Sequence, residues 1–444
     1  MKNKNNKKKG SVLIFVFMIV SVAAILFSGL VRYVVSQINY SEHISTRESS
    51  LNVADAGVEF YRWYLSHQTE GMQIQEVYDF WESTDPYPYG VDIPYTADYR
   101  GIGRFNITVT PPEEGSTIAT IESTGWMYDR PNVQRVIQAR LRLASWSEYV
   151  LLANSDLYID DGEEINGSVH SNGGVRFDGV AHNVVTSAVT SYYDSVVGET
   201  KDGVWTSWTD EYNTNMSSSV FLLGKRFPVP EKDFDTVVTS FSQIFEAAQE
   251  LDLDFDRSTK AHQIVLKGDV IDVNRVLNEK KGVVTKTQSV KSDFPLPDVA
   301  AIYVDKNIWV EGYLSEGKKL VIAANNPSAV HGNIYISDDI TYNDYSDGTV
   351  LGLIAKNNIE VVEGSSNNLR IDAALLAQIG YVGRADYSDS KSSITVYGAI
   401  ATNQGYGFSG YSSRNIIYDN SLIYTPPPYF PIEGIYKIDN WKEL

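Results

Sequence analysis

The sequence has no cysteine in its 444 residues. That excludes disulfides, thiolate metal sites and cysteine nucleophiles, but leaves the compartment open, since many extracytoplasmic proteins lack disulfides. Histidine is scarce as well. His43, His67, His170, His182, His262 and His331 are scattered, and no two have the spacing of a zinc motif such as His-Glu-x-x-His. Positive charge is in short supply: 37 Lys and Arg face 56 Asp and Glu, for a net charge of -19. Lys2, Lys4, Lys7, Lys8 and Lys9 crowd five of those positive charges into the first ten residues, so the rest of the chain is more acidic than the total. A body that acidic repels phosphate backbones, which excludes nucleic acid as its partner. It stays soluble and can meet cations or basic surfaces.

Between Ser11 and Val31 there is no charge of either sign. A helix of that length spans roughly 30 Å, the thickness of a bilayer core. Arg32 closes the run, and the lysines before it stay cytoplasmic under the positive-inside rule, sending the C-terminal body outward. A secretory signal has a shorter apolar core and a small-x-small cleavage site after it. Here Phe27 is followed by Ser28-Gly29-Leu30-Val31-Arg32. Further on, Leu51, Ala54, Val58, Tyr61 and Leu65 recur at three- and four-residue steps, one apolar face of a helix. Ile38 and Ile44 bridge the gap less regularly. The pattern predicts one long helix over about residues 12 to 66, half in a membrane and half packed on a domain.

These residues carry a resemblance. Basic residues, then Gly10, then an apolar helix from Ser11 resemble a type IV prepilin leader. Ala54-Asp55-Ala56-Gly57-Val58 is similar to the Ala-Glu/Asp-Ala-Gly-apolar segment in the N-terminal region of PilX-type minor pilins. The resemblance implies that a prepilin peptidase cuts between Gly10 and Ser11 and methylates Ser11. It further implies that the helix holds the subunit in the cytoplasmic membrane and later packs against other pilin subunits at the assembly platform. Most major pilins have Glu at the fifth mature position, where its carboxylate can pair with a neighbour's N-terminal amine. Here that position is Phe15, as in the K-type minor pseudopilins of type II secretion. Its loss implies a tip, initiating or low-copy subunit, and keeps a non-assembling anchor open.

Residues 67 to 100 are rich in Tyr, Pro and Asp and read as a loop region. Three strand-like runs come next: Arg104 to Thr110, Thr117 to Glu122 and Val133 to Leu143, with Pro111-Pro112-Glu113-Glu114-Gly115 and Asp129-Arg130-Pro131-Asn132 as turns. A helix whose apolar face ends at Leu65 needs such a sheet to cover it. Arg135 falls on the alternating apolar face and is expected at a solvent-reaching edge.

After residue 149 short apolar clusters recur between Gly, Asn and Asp, such as Leu157-Tyr158-Ile159, Ile308-Trp309-Val310, Ile334-Tyr335-Ile336 and Ile394-Thr395-Val396. Short strands ended by such turns suit a parallel β-solenoid, in which each coil buries its apolar triplet against the next. A β-sandwich is the structural alternative. Phe234, Val237, Phe241, Ile244, Phe245, Ala248 and Leu251 lie at helical spacing, so a helical insertion is expected over about 228–297. The second part also resembles the extracytoplasmic regions of some long PilX-like proteins, through Asn166-Gly167-Ser168-Val169-His170-Ser171-Asn172-Gly173-Gly174, Leu375-Leu376-Ala377-Gln378-Ile379-Gly380 and the closing Tyr424 to Pro431 stretch.

Catalytic and metal patterns are thin. In His170-Ser171-Asn172-Gly173 the adjacent Ser and His face opposite sides of a strand, so the cluster reads as a corner where Asn172 bonds backbone and Gly173 takes a positive φ. His170 and His182 could meet on neighbouring coils. Asn343-Asp344-Tyr345-Ser346-Asp347-Gly348 has oxygen ligands, but Ile354 stands where an EF-hand places its bidentate Glu. Asp160-Asp161-Gly162-Glu163-Glu164 is a second oxygen cluster. Trp205, Trp208 and Trp309 could stack on sugars or fill a core.

The expected fold class is α+β: a long N-terminal transmembrane helix packed on a small antiparallel sheet, followed by a β-solenoid-like (parallel β-helix) domain with a helical insertion. The expected divisions are a leader over 1–10, the helix over 11–66, the sheet domain over 67–148 and the surface domain over 149–444. The expected function is structural: a minor or tip-located pilus or pseudopilus subunit, with no catalysis and no cofactor, displaying an acidic body toward a surface or glycan ligand. The alternatives are a membrane-tethered carbohydrate-active enzyme and a static membrane anchor.

Overall fold

The computed structural model describes residues 9–72, 74–83, 88–113, 116–209, 216–255, 260–328, 330–345 and 348–444. Helix α1 runs over Lys9–Gln68, 60 residues, or about 90 Å. No proline precedes Pro86, so no backbone donor is missing along it. It stops where Thr69 donates from both its amide and its Oγ1 to the Leu65 carbonyl (2.9 Å each) and Gly71 turns at φ 78°. From Val12 to Ile44 its large apolar side chains are exposed. Beyond that, Thr46, Ser50, Val53, Ala54, Val58, Tyr61 and Leu65 form a buried stripe.

That stripe lies on an antiparallel sheet of β1 (Tyr95–Tyr99), β2 (Gly103–Thr110), β3 (Ile118–Met127), β4 (Gln134–Ser145) and the C-terminal strand Ile432–Glu443, in that order. Alternation is clear on β2, where Phe105, Ile107 and Val109 are buried, and on β4, where Ile137, Ala139, Leu141 and Leu143 are. On β3 the buried face is Ala119, Ile121, Ser123 and Gly125, so Ile118 points the other way.

Two sequence expectations fail in this region. The stretch read as a loop holds a short helix, α2 (Ile74–Glu82), and strand β1; α2 buries Ile74, Val77 and Trp81 on one face. Nine residues are too few for that pattern to stand out among the surrounding Tyr, Pro and Asp. The last twelve-residue strand, read as part of the surface domain, pairs with β4 (Tyr436 opposite Leu143, Glu443 opposite Ile137). Two register shifts break its alternation, which hides the period of two in the sequence. Near the end of this strand, Arg135 is half-buried and ion-paired with Glu443.

From Tyr149 onward parallel pairing dominates. Ile302, Ile322, Leu353, Leu375, Ile400, Leu151, Val169 and Val185 stand opposite one another, strand to strand, in one continuous register, and all eight are buried. A second column joins His262, Ile308, Ile334, Ile359, Val382 and Tyr406. At the turn before it the Asn333 amide donates to Asn307 Oδ1 (3.1 Å), Asn358 to Asn333 Oδ1 (3.0 Å) and Tyr381 to Asn358 Oδ1 (3.1 Å). Each asparagine thus satisfies a backbone donor of the next strand in the stack.

The stacking order differs from the chain order. The chain leaves the sheet at Tyr149, steps through 168–171 and 185–187 to a terminal pairing at 225–226, then enters the helix Val237–Glu250. It resumes at 254–255, the other terminal pairing, and winds back until Ile400–Thr402 pairs with Leu151–Ala153. The ladder is therefore two halves meeting beside the sheet.

The expected helical insertion shrinks to this one helix, whose Val237, Phe241, Ile244 and Ala248 are buried. His262–Gly268 belongs to the ladder, and Val270–Lys280 and Val283–Pro295 form a long hairpin. Residues Val350 to Ala355 are buried on both faces, as expected of covered parallel strands.

Both passages between sheet and ladder are tied together. Ser145 and Glu148 cap a 3₁₀ turn reciprocally. Arg142, buried, pairs with Glu148 and with Asp439 (3.1 Å), while Lys437 reaches Glu148 (2.9 Å). The Tyr149 hydroxyl donates to Glu433 (3.0 Å), which also pairs with Lys232 (2.7 Å).

Candidate assembly helix and outer cleft

Among the described residues, one helix is long and apolar enough to cross a membrane, with none of its most apolar stretch buried. Phe15 sits there with 63% of its surface exposed. Gly10 and Ser11 fall in the first turns of α1, and the leader up to residue 8 lies outside the described residues.

Ala54 and Gly57 are where the helix meets the sheet most closely. A Cβ on Gly57 would come within 2.2 Å of Ser123 Oγ and 3.1 Å of the Phe105 ring. On the facing strand, a Cβ on Gly125 would come within 2.3 Å of the Ala54 nitrogen and 2.4 Å of the Ser50 carbonyl. The Ala-x-x-Gly spacing thus puts two small residues one turn apart on the face that touches β3. Asp55 and Ala56 do something else. Asp55 points outward and accepts from the Trp441 indole (3.0 Å), and Ala56 is half-buried. Arg130 holds Glu42 (2.5 Å), and Ser50 Oγ donates to the Val133 carbonyl (2.8 Å). Together these contacts fix the angle at which the exposed half of the helix leaves the sheet.

The His170 cluster is a packed corner. His170 Nδ1 meets Thr186 Oγ1 (2.9 Å) and Nε2 meets Asn172 Oδ1 (3.1 Å), while Asn172 Nδ2 donates to the Lys232 carbonyl (2.7 Å). Burial pushes the His170 imidazole down to about 4, holding it neutral. Gly173 does not take a positive φ. Glycine is needed because a Cβ would come within 2.5 Å of Asp156 Oδ1. His170 and His182 do not meet, since His170 stands opposite Leu152 and Thr186 while His182 lies 3.4 Å from Glu164. No group of three metal-ligating side chains gathers among the described residues. The Asn343–Gly348 loop lies partly outside them.

The Asp160–Glu164 cluster lines a cleft. Residues 158–166 face residues 406–417 across a space of about 430 Å³, where the two halves of the ladder meet. A further 390 Å³ adjoins it, sharing Asp160, Gly162, Glu163, Arg414 and Asn415. Burial, and Asp160 beside it, hold the Glu163 carboxyl above the usual range, although the Tyr406 hydroxyl donates to it (3.3 Å). Trp205 and Trp309 are not free platforms. Arg176 and Lys201 lie against the Trp205 ring, and Trp309 is buried with its indole donating to the Gly282 carbonyl (2.6 Å).

No protein-family model and no curated protein matches this chain. Among solved structures, the competence-associated pilin ComZ from Thermus thermophilus aligns over 90% of this chain and 98% of its own, at 12% identity and a TM-score of 0.29.

Gly125, Trp441, Tyr406 and Arg414 were missed from sequence. Only Gly125 left a signal, an isolated glycine inside a strand run, which marks close backbone approach. Tyr406 and Trp441 depend on contacts across 243 and 386 residues of chain, and Arg414 lines the cleft opposite a segment equally remote in sequence.

Proposed function

We propose that this chain is a pilin-like surface subunit, anchored in the cytoplasmic membrane by α1 and displayed outward in a type IV pilus or pseudopilus. The observation that carries this is the length of helix left uncovered. From Ser11 to Ser41 only Arg32 is charged, a span of roughly 45 Å against a hydrocarbon core of about 30 Å. Beyond Arg32, Tyr33 and Tyr40 remain 64% exposed and Ile38 51%. A static anchor gains nothing from apolar side chains above the bilayer. A subunit that packs its helix among neighbours buries them.

In this reading a prepilin peptidase cuts between Gly10 and Ser11 and Ser11 carries the methylated amine. Phe15 offers no carboxylate to a neighbour's terminus, which suits a minor or tip position. The partners are other pilins, the assembly platform and the membrane, and the protein acts by helix packing and display without catalysis. The outer part is a β-solenoid. Ile308, Ile334 and Ile359, 26 and 25 residues apart, stand opposite one another, which supports about one coil per such interval. The domains are then the leader 1–10, helix 11–66, sheet 67–148 completed by the C-terminal strand, and the solenoid between.

The test is the N-terminal mass of the protein from its native membrane, with and without the prepilin peptidase. A chain starting at methylated Ser11, seen only with the peptidase, is expected. An intact leader in both samples would sink this reading and leave a static anchor.

A further inference from the structure

We infer that the cleft between segments 158–166 and 406–417 binds a neutral saccharide chain, through Tyr158, Asp160, Glu163 and Arg414. Asp160 and Glu163 occupy one wall and Arg414 the other. In this outer region Arg176 pairs with Asp178 (2.7 Å), Arg370 with Asp372 (2.8 Å) and Arg384 with Asp389 (2.6 Å). Arg414 makes no such pair although two carboxylates line the same cleft. Its hydrogen bond is to the Tyr411 carbonyl (3.4 Å), and among the described residues no cation pairs with Asp160 or Glu163. Opposite charges thus face each other across open space without closing it.

Water occupies such a space at rest, and a ligand that displaces it must replace its hydrogen bonds on both walls. It must donate to the carboxylates and accept from the guanidinium. A metal cation satisfies the carboxylates, meets repulsion from Arg414, and among the described residues finds no third His, Cys, Asp or Glu gathered with them. An anion satisfies Arg414 and is repelled by Asp160 and Glu163. Vicinal hydroxyls do both at once, each being donor and acceptor.

The remaining features agree. Tyr158 keeps 37% of its surface exposed at the rim, a ring face against which the C–H face of a sugar packs. Beside Gly162 and Gly407 no atom lies within 4 Å of where a side chain would begin, so the lining stays open at both. The adjoining space past Ser412 and Ser413 continues the groove, which suits a chain more than a single ring.

The experiment uses the full chain in detergent micelles. Binding of cello-, malto-, chito- and manno-oligosaccharides is measured by titration calorimetry for the wild type and for Tyr158→Ala, Glu163→Ala and Arg414→Ala. Tyr313→Ala, exposed on a strand away from the cleft, serves as control, and thermal unfolding of each variant checks folding. At least one probe is expected to bind, with affinity falling tenfold or more in each cleft variant and unchanged in the control. No binding by any probe at millimolar concentration overturns the inference. So does binding that survives all three substitutions, or calcium or oligolysine binding in place of sugar. Because the micelle sample needs no leader cleavage, the inference stands or falls apart from the pilin reading. A probe returned shortened would overturn display without catalysis while leaving the binding site in place.

Discussion

The helix-on-sheet region and the parallel ladder hold together by different means. In the first, a single helix presses on one face of a five-stranded sheet, and contact depends on a few small residues, Ala54, Gly57 and Gly125. In the second, identical positions of successive strands stack into apolar columns, and each strand depends mainly on its two neighbours. A localized interface tolerates little change at a few sites. A repeating one spreads its tolerance over many.

Acid should separate the two regions most. Burial pushes both His170 and His262 down to about 4 from 6.5. Both are in the ladder and 1% exposed, and His262 packs on Phe255 near Arg275. With folded values below unfolded ones, their neutral forms contribute fully above pH 6.5, and the contribution is lost as pH falls through 4. The loss approaches about 3 kcal/mol for each histidine. Chemical denaturation at pH 7 and pH 4.5 should show the ladder weakened, and His170→Gln with His262→Gln should flatten that slope. An unchanged slope would mean the imidazoles are solvated.

Arg142→Leu attacks the link between the regions. It leaves Glu148 with Lys437 alone and Asp439 with only Arg140, 3.8 Å away, and should cost about 3 kcal/mol, the low end for breaking a buried pair, read as a lower urea midpoint. Restoration by Lys at that position would be partial, since one ammonium cannot span both carboxylates. Gly125→Ala should cost about 3 kcal/mol, because the helix backbone at Ala54 and Ser50 must move away. Hydrogen exchange should then quicken along residues 46–65 and leave the ladder unchanged. By contrast, Ile322→Val removes one methylene from a column and should cost about 1 kcal/mol, with exchange rising only in strands 299–304 and 350–355. Faster exchange throughout the ladder would contradict the nearest-neighbour picture. Smallest is Arg130→Ala. Its pair with Glu42 is exposed, and the loss should be within about 0.5 kcal/mol.

Legibility in the sequence depended on whether the signal was local. The uncharged run from Ser11, the stripe from Leu51 to Leu65 and the alternation of Arg104 to Thr110 are each carried by consecutive residues, and each appears as an element. The clusters at Ile308, Ile334 and Ile359 announced short strands, but not which strand would neighbour which. The nine residues of α2 and the bulged C-terminal strand were hidden because their periods are short or interrupted. The acidic cluster at Asp160 was visible; Tyr406, which bonds it, and Arg414, which faces it across the cleft, were not, because both belong to the other half of the ladder.

Composition and periods within a few turns dictate the long apolar helix, its amphipathic continuation, the α+β character and the acidity of the outer body, so all of these could be read along the chain. Pairing between distant segments settled the rest: the chain's last strand completes the first sheet, the ladder is assembled from two halves that meet where Ile400 stands opposite Leu151, and a cleft opens at their seam. Those outcomes depend on which remote segments bury one another most fully, and pairing energies between strands hundreds of residues apart leave no periodic trace in either segment alone.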